Sequence, residues 1–168
     1  MSQLRTNSIV PVGGIPAGAS GGGIIQSVNF NYTTGQTFSS ISDGSFQDTG
    51  LTASITPRST SNKIIVIVCA TFQSAYTSTA NVGCALGLKR GASTITSRYG
   101  VHTATISNGE TLAPLGSFTY LDSPATTSST TYTVQIAPVG GTQTCYFNRN
   151  YSVSTGFTST ITLLEISG

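Results

Sequence analysis

Five carboxylates (Asp43, Asp48, Glu110, Asp122 and Glu165), one histidine (His102) and three cysteines (Cys69, Cys84 and Cys145) are the side chains of this chain with an ordinary claim to chemistry. A glycosidase-type acid and base needs two carboxylates facing one substrate, and these five are few and dispersed, although folding could still bring two together. Asp43 before Gly44, Glu110 after Asn108 and Gly109, and Asp122 before Ser123 and Pro124 read as turn residues. His102 would serve as a base, but no Gly-x-Ser-x-Gly elbow and no cysteine at a recognisable spacing accompanies it. The cysteines lie far apart, each in a strand-like run between apolar or Thr neighbours, which is the pattern of reduced, buried thiols. Zinc would need closer pairs or more histidines, and a disulfide scaffold more cysteines. No catalytic residue, metal site or cofactor is expected, and the chain is read as a non-enzyme.

Binding signals are thin as well. The basic residues Arg5, Arg58, Lys63, Lys89, Arg90, Arg98 and Arg149 are scattered, so no phosphate-tracking stripe forms and no nucleic-acid partner is expected. Lys89 and Arg90 sit beside Gly91 and mark the solvated tip of a hairpin. The glycine run at positions 18–23 follows no strand and opens no helix, which makes it a flexible joint and not a phosphate loop. Tyr76, Tyr99, Tyr146 and Tyr151 lie beside Ser, Thr, Arg or Asn, a mixture suited to holding a glycan or a protein through flat faces and hydroxyls. Half-buried tyrosines of a β-sandwich have the same sequence appearance, and both readings stay open; Tyr76, Tyr99 and Tyr151 are the candidates for surface contact.

Composition favours a life in an assembly. The 168 residues fit one domain with an arm, charged residues make up 7%, and the net charge is +2. Ser and Thr supply nearly a third of the chain, so hydroxyls carry the surface, and little electrostatic repulsion keeps copies apart.

Residues 1–23 read as an extended arm, since Pro11 and Pro16 disfavour helix and the glycines add flexibility. Leu4, Ile9, Val10, Val12 and Ile15 would stay wet unless they dock, so the arm is expected to anchor against a neighbour. The same prolines and glycines interrupt any signal-peptide core, and no segment reaches transmembrane length. Synthesis in the cytoplasm and no membrane insertion are expected.

From residue 24 to 168 the hydrophobic period is two. Val28, Phe30 and Tyr32 alternate with Ser27, Asn29 and Asn31, and Leu51, Ala53 and Ile55 alternate with Thr52, Ser54 and Thr56 before a strong turn at positions 57–62. Residues 63–72, KIIVIVCATF, are apolar on both faces and predict a central strand covered on each side. A hairpin follows around positions 90–92, and further strands are expected at 112–121, 131–137, 142–148 and 157–166. Eight to ten short strands with no helix-length periodic segment predict an antiparallel β-sandwich, with a jelly roll as the expected topology.

Five pieces in this order, MSQLRTNSIVPVGGIPAGASGGGIIQ, GLTASITPRSTSNKIIVIV, ALGLKRGAS, YLDSPATTSSTTYTVQI and TSTITLLEIS, span most of the chain. Together they resemble small virion proteins of tailed bacteriophages, especially those of cyanobacterial and other marine phages. None is a catalytic signature. The resemblance implies a tail-fibre-like or virion structural protein whose domain is a trimeric jelly roll. It also implies that the arm holds other virion proteins and that the β domain projects from the particle towards a host-surface glycan or protein. It departs from long fibre proteins in showing no shaft between arm and domain, so a capsid decoration that braces capsomers is the alternative. A lectin-like or carbohydrate-processing domain on the same fold is a third.

Overall fold

The computed structural model describes residues 23–75, 80–106, 115–149 and 157–168, with the side chains of 75, 80–82 and 98–106 excepted. Ten strands account for nearly all of it: β1 (Ile24–Tyr32), β2 (Gln36–Ile41), β3 (Gln47–Ile55), β4 (Lys63–Ala75), β5 (Ala80–Arg90), β6 (Ser93–Ile106), β7 (Leu115–Asp122), β8 (Thr130–Val139), β9 (Gln143–Phe147) and β10 (Ser159–Ile166). Every pairing between them is antiparallel.

The pairings nest. β5 pairs with β6, β4 with β7, β3 with β8, β2 with β9 and β1 with β10, so the chain is one long hairpin folded about its β5–β6 apex. The doubled ribbon then rolls up, joining β10 and β9 to β4 and β8 to β5. One sheet runs β1-β10-β4-β7, with β2 and β9 continuing the rows of β1 and β10 alongside the far half of β4; the other runs β3-β8-β5-β6. With β2 and β9 set aside, this is the eight-stranded jelly roll expected from the alternation.

Alternation explains which residues meet. In β10, Ser159, Ile161, Leu163 and Glu165 are buried while Thr160, Thr162, Leu164 and Ile166 are half-buried on the other side. From β4, Ile64, Val66, Val68, Ala70 and Phe72 face inward, and from the second sheet Leu51, Ile55, Leu86, Leu88, Tyr132, Val134 and Ile136 meet them in one core. Two facing sheets with period-two strands bury one side of each in this way.

One expectation requires correction. β4 is central in its sheet and buried on both faces from Ala70 to Ser74, but it is not covered on each side before that: Ile65 and Cys69 are only half-buried, and Ile67 is 38% exposed. β5 is buried on both faces from Gly83 to Leu88, and beside it β8 is hidden on both faces where Val134, Gln135, Ile136, Ala137 and Pro138 are all buried. Its cover comes from the β2–β3 connection, whose Gly44 N–H donates to the Pro138 carbonyl at 3.4 Å and whose Phe46 ring lies over Gly87. A Cβ at Gly87 would stand 2.8 Å from that ring. Glycine is required there by close approach.

The sandwich is polar in the directional sense. At one end lie Gly23, Gly168, the 56–62 turn, the Gly91 hairpin and the loop between β7 and β8, because Ile24 pairs with Ile166, Ile166 with Lys63, Ile64 with Asp122 and Ile55 with Thr130. At the other end β2 finishes, β4 gives way to β5, β6 to β7 and β8 to β9. The chain therefore leaves its N-terminal segment and its outer connections at opposite ends.

Candidate functional site

Leu4, Ile9, Val10, Val12 and Ile15 of the arm lie outside the described residues, as do Tyr76, Tyr151 and Glu110. Tyr99 is on β6 opposite Leu86 and His102 on the same strand opposite Cys84, but their side chains are outside the description. Tyr146 is buried, 9% exposed, with the Arg149 guanidinium 5.0 Å above its ring. It is a packed sandwich tyrosine, held by an intramolecular cation–π contact.

Asp48, Glu165 and Asp122 occupy three separate hydrogen-bond clusters. Asp48 accepts from Lys89 and, at 2.7 Å, from Gln135 Nε2; the Lys89 hydrogen bond chiefly holds its pKa below the usual value against the opposing effect of burial. Glu165 is fully buried and would be pushed up by desolvation, yet its pKa is lowered. Asn62 Nδ2 donates to it at 2.6 Å, the Arg58 N–H at 2.7 Å, and Gln26 adds a third hydrogen bond. Three donors aimed at one carboxylate outweigh its lost hydration. Asp43 lies in the turn assigned to it, where the Ser45 N–H donates to the Ser42 carbonyl at 3.0 Å.

Asp122 is not the exposed turn initiator its sequence context suggests. It ends β7 buried, 6% exposed, and both its oxygens accept from Arg90 Nη1 at 2.8 Å, while Tyr132 Oη donates to Oδ2 at 2.6 Å. Burial first, and the adjacent carboxylate second, push the Tyr132 phenol upward; the same carboxylate raises Arg90. Lys89 and Arg90 are thus not free at a hairpin tip, because each folds back onto an acid from a neighbouring strand.

Beside this cluster is a surface hollow of about 320 Å³ formed by Arg90, Gly91, Pro124, Thr126, Ser129 and Thr130 with Thr131. The β7–β8 loop builds it: Pro124 and the left-handed Ala125, φ 51°, turn the chain, Ser128 N–H donates to Thr126 Oγ1, and Gly91 N–H donates to the Thr131 carbonyl at 2.9 Å. Its wall is hydroxyls, a proline ring and a guanidinium already neutralised by Asp122. Such a lining suits a neutral hydroxylated ligand through hydrogen bonds and holds no nucleophile or base for turnover. No group of three His, Cys, Asp or Glu side chains able to hold a metal occurs among the described residues.

The outer face of the first sheet exposes aliphatic side chains among the described residues. Leu121 pairs with Ile65 and Ile65 with Leu164 in one row, with Ile67 in the next and Ile166 and Ile24 beyond. Leu121 is 52% and Ile24 63% exposed. The aliphatics gather at the end where the chain enters from residues 1–22; Thr162 and Thr119 already flank Ile67, and Thr160 and Ser117 flank Cys69 in the row beyond. Lys63 is the charged side chain at its margin. Sequence reasoning missed this face because it assigned β4 a cover on both sides.

No protein-family model matches the chain, and no curated protein matches it in sequence. Among solved structures it is similar to the infectious bursal disease virus VP2 subviral particle, with a TM-score of 0.43 and 12% identity over 85% of this chain and 40% of that one. The structure of the Gt strain of infectious bursal disease virus gives 0.43 and 13%, and the T=1 particles derived from the virus give 0.40 and 14%, with the same coverage. The chain spans about two fifths of the length of these proteins. The fold assignment rests on the strand pairings of the chain itself.

Proposed function

We propose that this chain is a non-enzymatic structural protein of a tailed-phage particle: a tail-fibre or short appendage component, held by residues 1–23 and presenting a homotrimeric β domain to the host surface. The observation that carries the reading is a jelly roll whose first sheet exposes an aliphatic patch at one end of its outer face with Lys63 at the margin, while Asp48, Asp122 and Glu165 sit in ion pairs or hydrogen-bond clusters. Exposed aliphatic area of this kind marks an interaction surface. A neighbouring copy of the chain is its proposed occupant, through a head-to-tail contact in which this face meets a different surface of the next protomer, as a three-fold ring requires. The sequence resemblance to phage virion proteins supports the same reading.

The direction of the sandwich supports a presenting role. Residues 1–22 lead into β1 at one end, so an arm fixed to the particle turns the β4–β5 and β6–β7 connections outward. The hydroxyl-lined hollow sits at the arm end, which makes it a poorer place for host contact than the opposite end. Leu4, Ile9, Val10, Val12 and Ile15 are the proposed anchors, and Tyr76, Tyr99 and Tyr151 the proposed contact residues.

Antibody-gold labelling of intact particles tests the location. Label at the tail is the expected result; label confined to the head would replace the appendage with a capsid decoration, in which the same apolar face lies against capsomers. Removal of residues 2–23 should abolish incorporation, and particles that still take up the truncated chain would refute anchoring. Release of reducing sugar from host envelope polysaccharide by the folded protein would overturn the non-enzymatic reading.

A further inference from the structure

We propose that Cys84 and Cys145 are a modification site: a thiol pair that closes into a disulfide across the two sheets when the protein meets an oxidising small-molecule disulfide. Cys84 is on β5 of the second sheet and Cys145 on β9 of the first, and the roll brings them together across the core from positions 61 residues apart. Both are buried, at 1% and 0% exposure, and their sulfurs are 2.6 Å apart. That is roughly half an ångström beyond a disulfide bond of about 2.05 Å, so a small shift of two side chains joins them. Cys69 stands apart, on the outer side of β4, where it pairs in register with Ser117 and Thr160.

The chemistry is two exchanges. The thiolate of one cysteine attacks a sulfur of the external disulfide, whose S–S bond breaks; a mixed disulfide forms and one small thiolate leaves and takes up a proton. The second cysteine, deprotonated, attacks the protein sulfur of that mixed disulfide, forming the Cys84–Cys145 bond and releasing the second small thiol. Two protein thiols are oxidised and one external disulfide is reduced to two thiols. In the closed native state the pair is protected: the hydrogen bond to Cys145, and then burial, hold the Cys84 thiol protonated. Exchange therefore proceeds through partial opening of the sandwich, and a reducing cytoplasm keeps the pair open.

The bond would tie β5 to β9 near the end opposite the N-terminal segment, closing a loop that contains β6, β7 and β8. If the chain works on a particle, as proposed above, this end is strengthened only after release from the cell. The cross-link itself does not depend on that reading.

The test uses the full chain, reduced and then held with glutathione disulfide near its unfolding midpoint, refolded, blocked with a maleimide under denaturing conditions and weighed intact. The expected product has lost two hydrogens, carries one maleimide on Cys69, yields a Cys84–Cys145 peptide on digestion and melts roughly 10 °C above the reduced form. Cys69→Ser should oxidise in the same way, whereas Cys84→Ser and Cys145→Ser should each fail to cross-link internally. Three maleimides on every molecule, glutathione adducts without a cross-link, or a mixture of pairings that includes Cys69 would each overturn the proposal.

Discussion

The outer faces of the two sheets are built to opposite ends. On the second sheet, the β2–β3 connection folds over β8 and β5, and the absence of a side chain at Gly87 lets the Phe46 ring settle on the backbone. On the first, the same device works from inside: Gly116 of β7 makes room for the Phe72 ring in the core, and no connection crosses the outer side of Ile65 and Ile67 among the described residues. An intramolecular cover and an uncovered stripe on one domain indicate that the chain has the means to hide a sheet face and has used them on one sheet.

The contrast is sharpest where polar groups brace the uncovered sheet, and the largest effect is expected there. Glu165→Gln replaces an acceptor of three hydrogen bonds with an amide that turns donor against donor, and should cost roughly 3 kcal/mol in chemical denaturation. The native carboxylate has a lowered pKa, so its contribution is full above the unfolded value of about 4.3 and is lost as pH falls through the native one. Melting temperature should therefore decline below about pH 4.5, and Glu165→Gln should flatten that decline, leaving the share of Asp48, whose pKa is lowered as well.

Phe46→Ala removes the cover of the second sheet and should cost about 2 kcal/mol while creating a new dye-binding apolar patch. An unchanged dye signal would mean that the connection does not cover the face. Tyr132→Phe, which deprives Asp122 of one donor but leaves the Arg90 pair, should cost about 1 kcal/mol and alter no dye binding. Ile67→Thr on the uncovered face should change monomer stability by less than about 0.5 kcal/mol yet weaken self-association in sedimentation. A marked loss of stability with association intact would show that the face is not a meeting surface.

Much of the fold was legible because it is local. β10 shows its inward and outward residues in its own alternation, and the 57–62 turn is marked by Pro57 and Asn62, with the Asn62 N–H donating to the Ser59 carbonyl. The distinction between β4 and β8 was not legible. Whether an apolar strand face is covered depends on Phe46, remote in sequence from both, while β8 opens with Thr130, Thr131 and Thr133 and so resembles a one-sided strand. The hollow was hidden for the same reason. Arg90, Asp122 and Tyr132 come from three strands, and nothing about Asp122-Ser123-Pro124 announces a buried ion pair.

Because Ile24 and Ile166 are partners in the outermost pair of the nested ribbon, both ends of the domain open from one corner of the sandwich. A label, affinity tag or enzyme fused after Gly168 would accordingly sit beside the point where the chain enters β1. An insertion between β4 and β5 or between β6 and β7, strands whose facing ends lie at the opposite end of the sandwich, would leave that corner untouched.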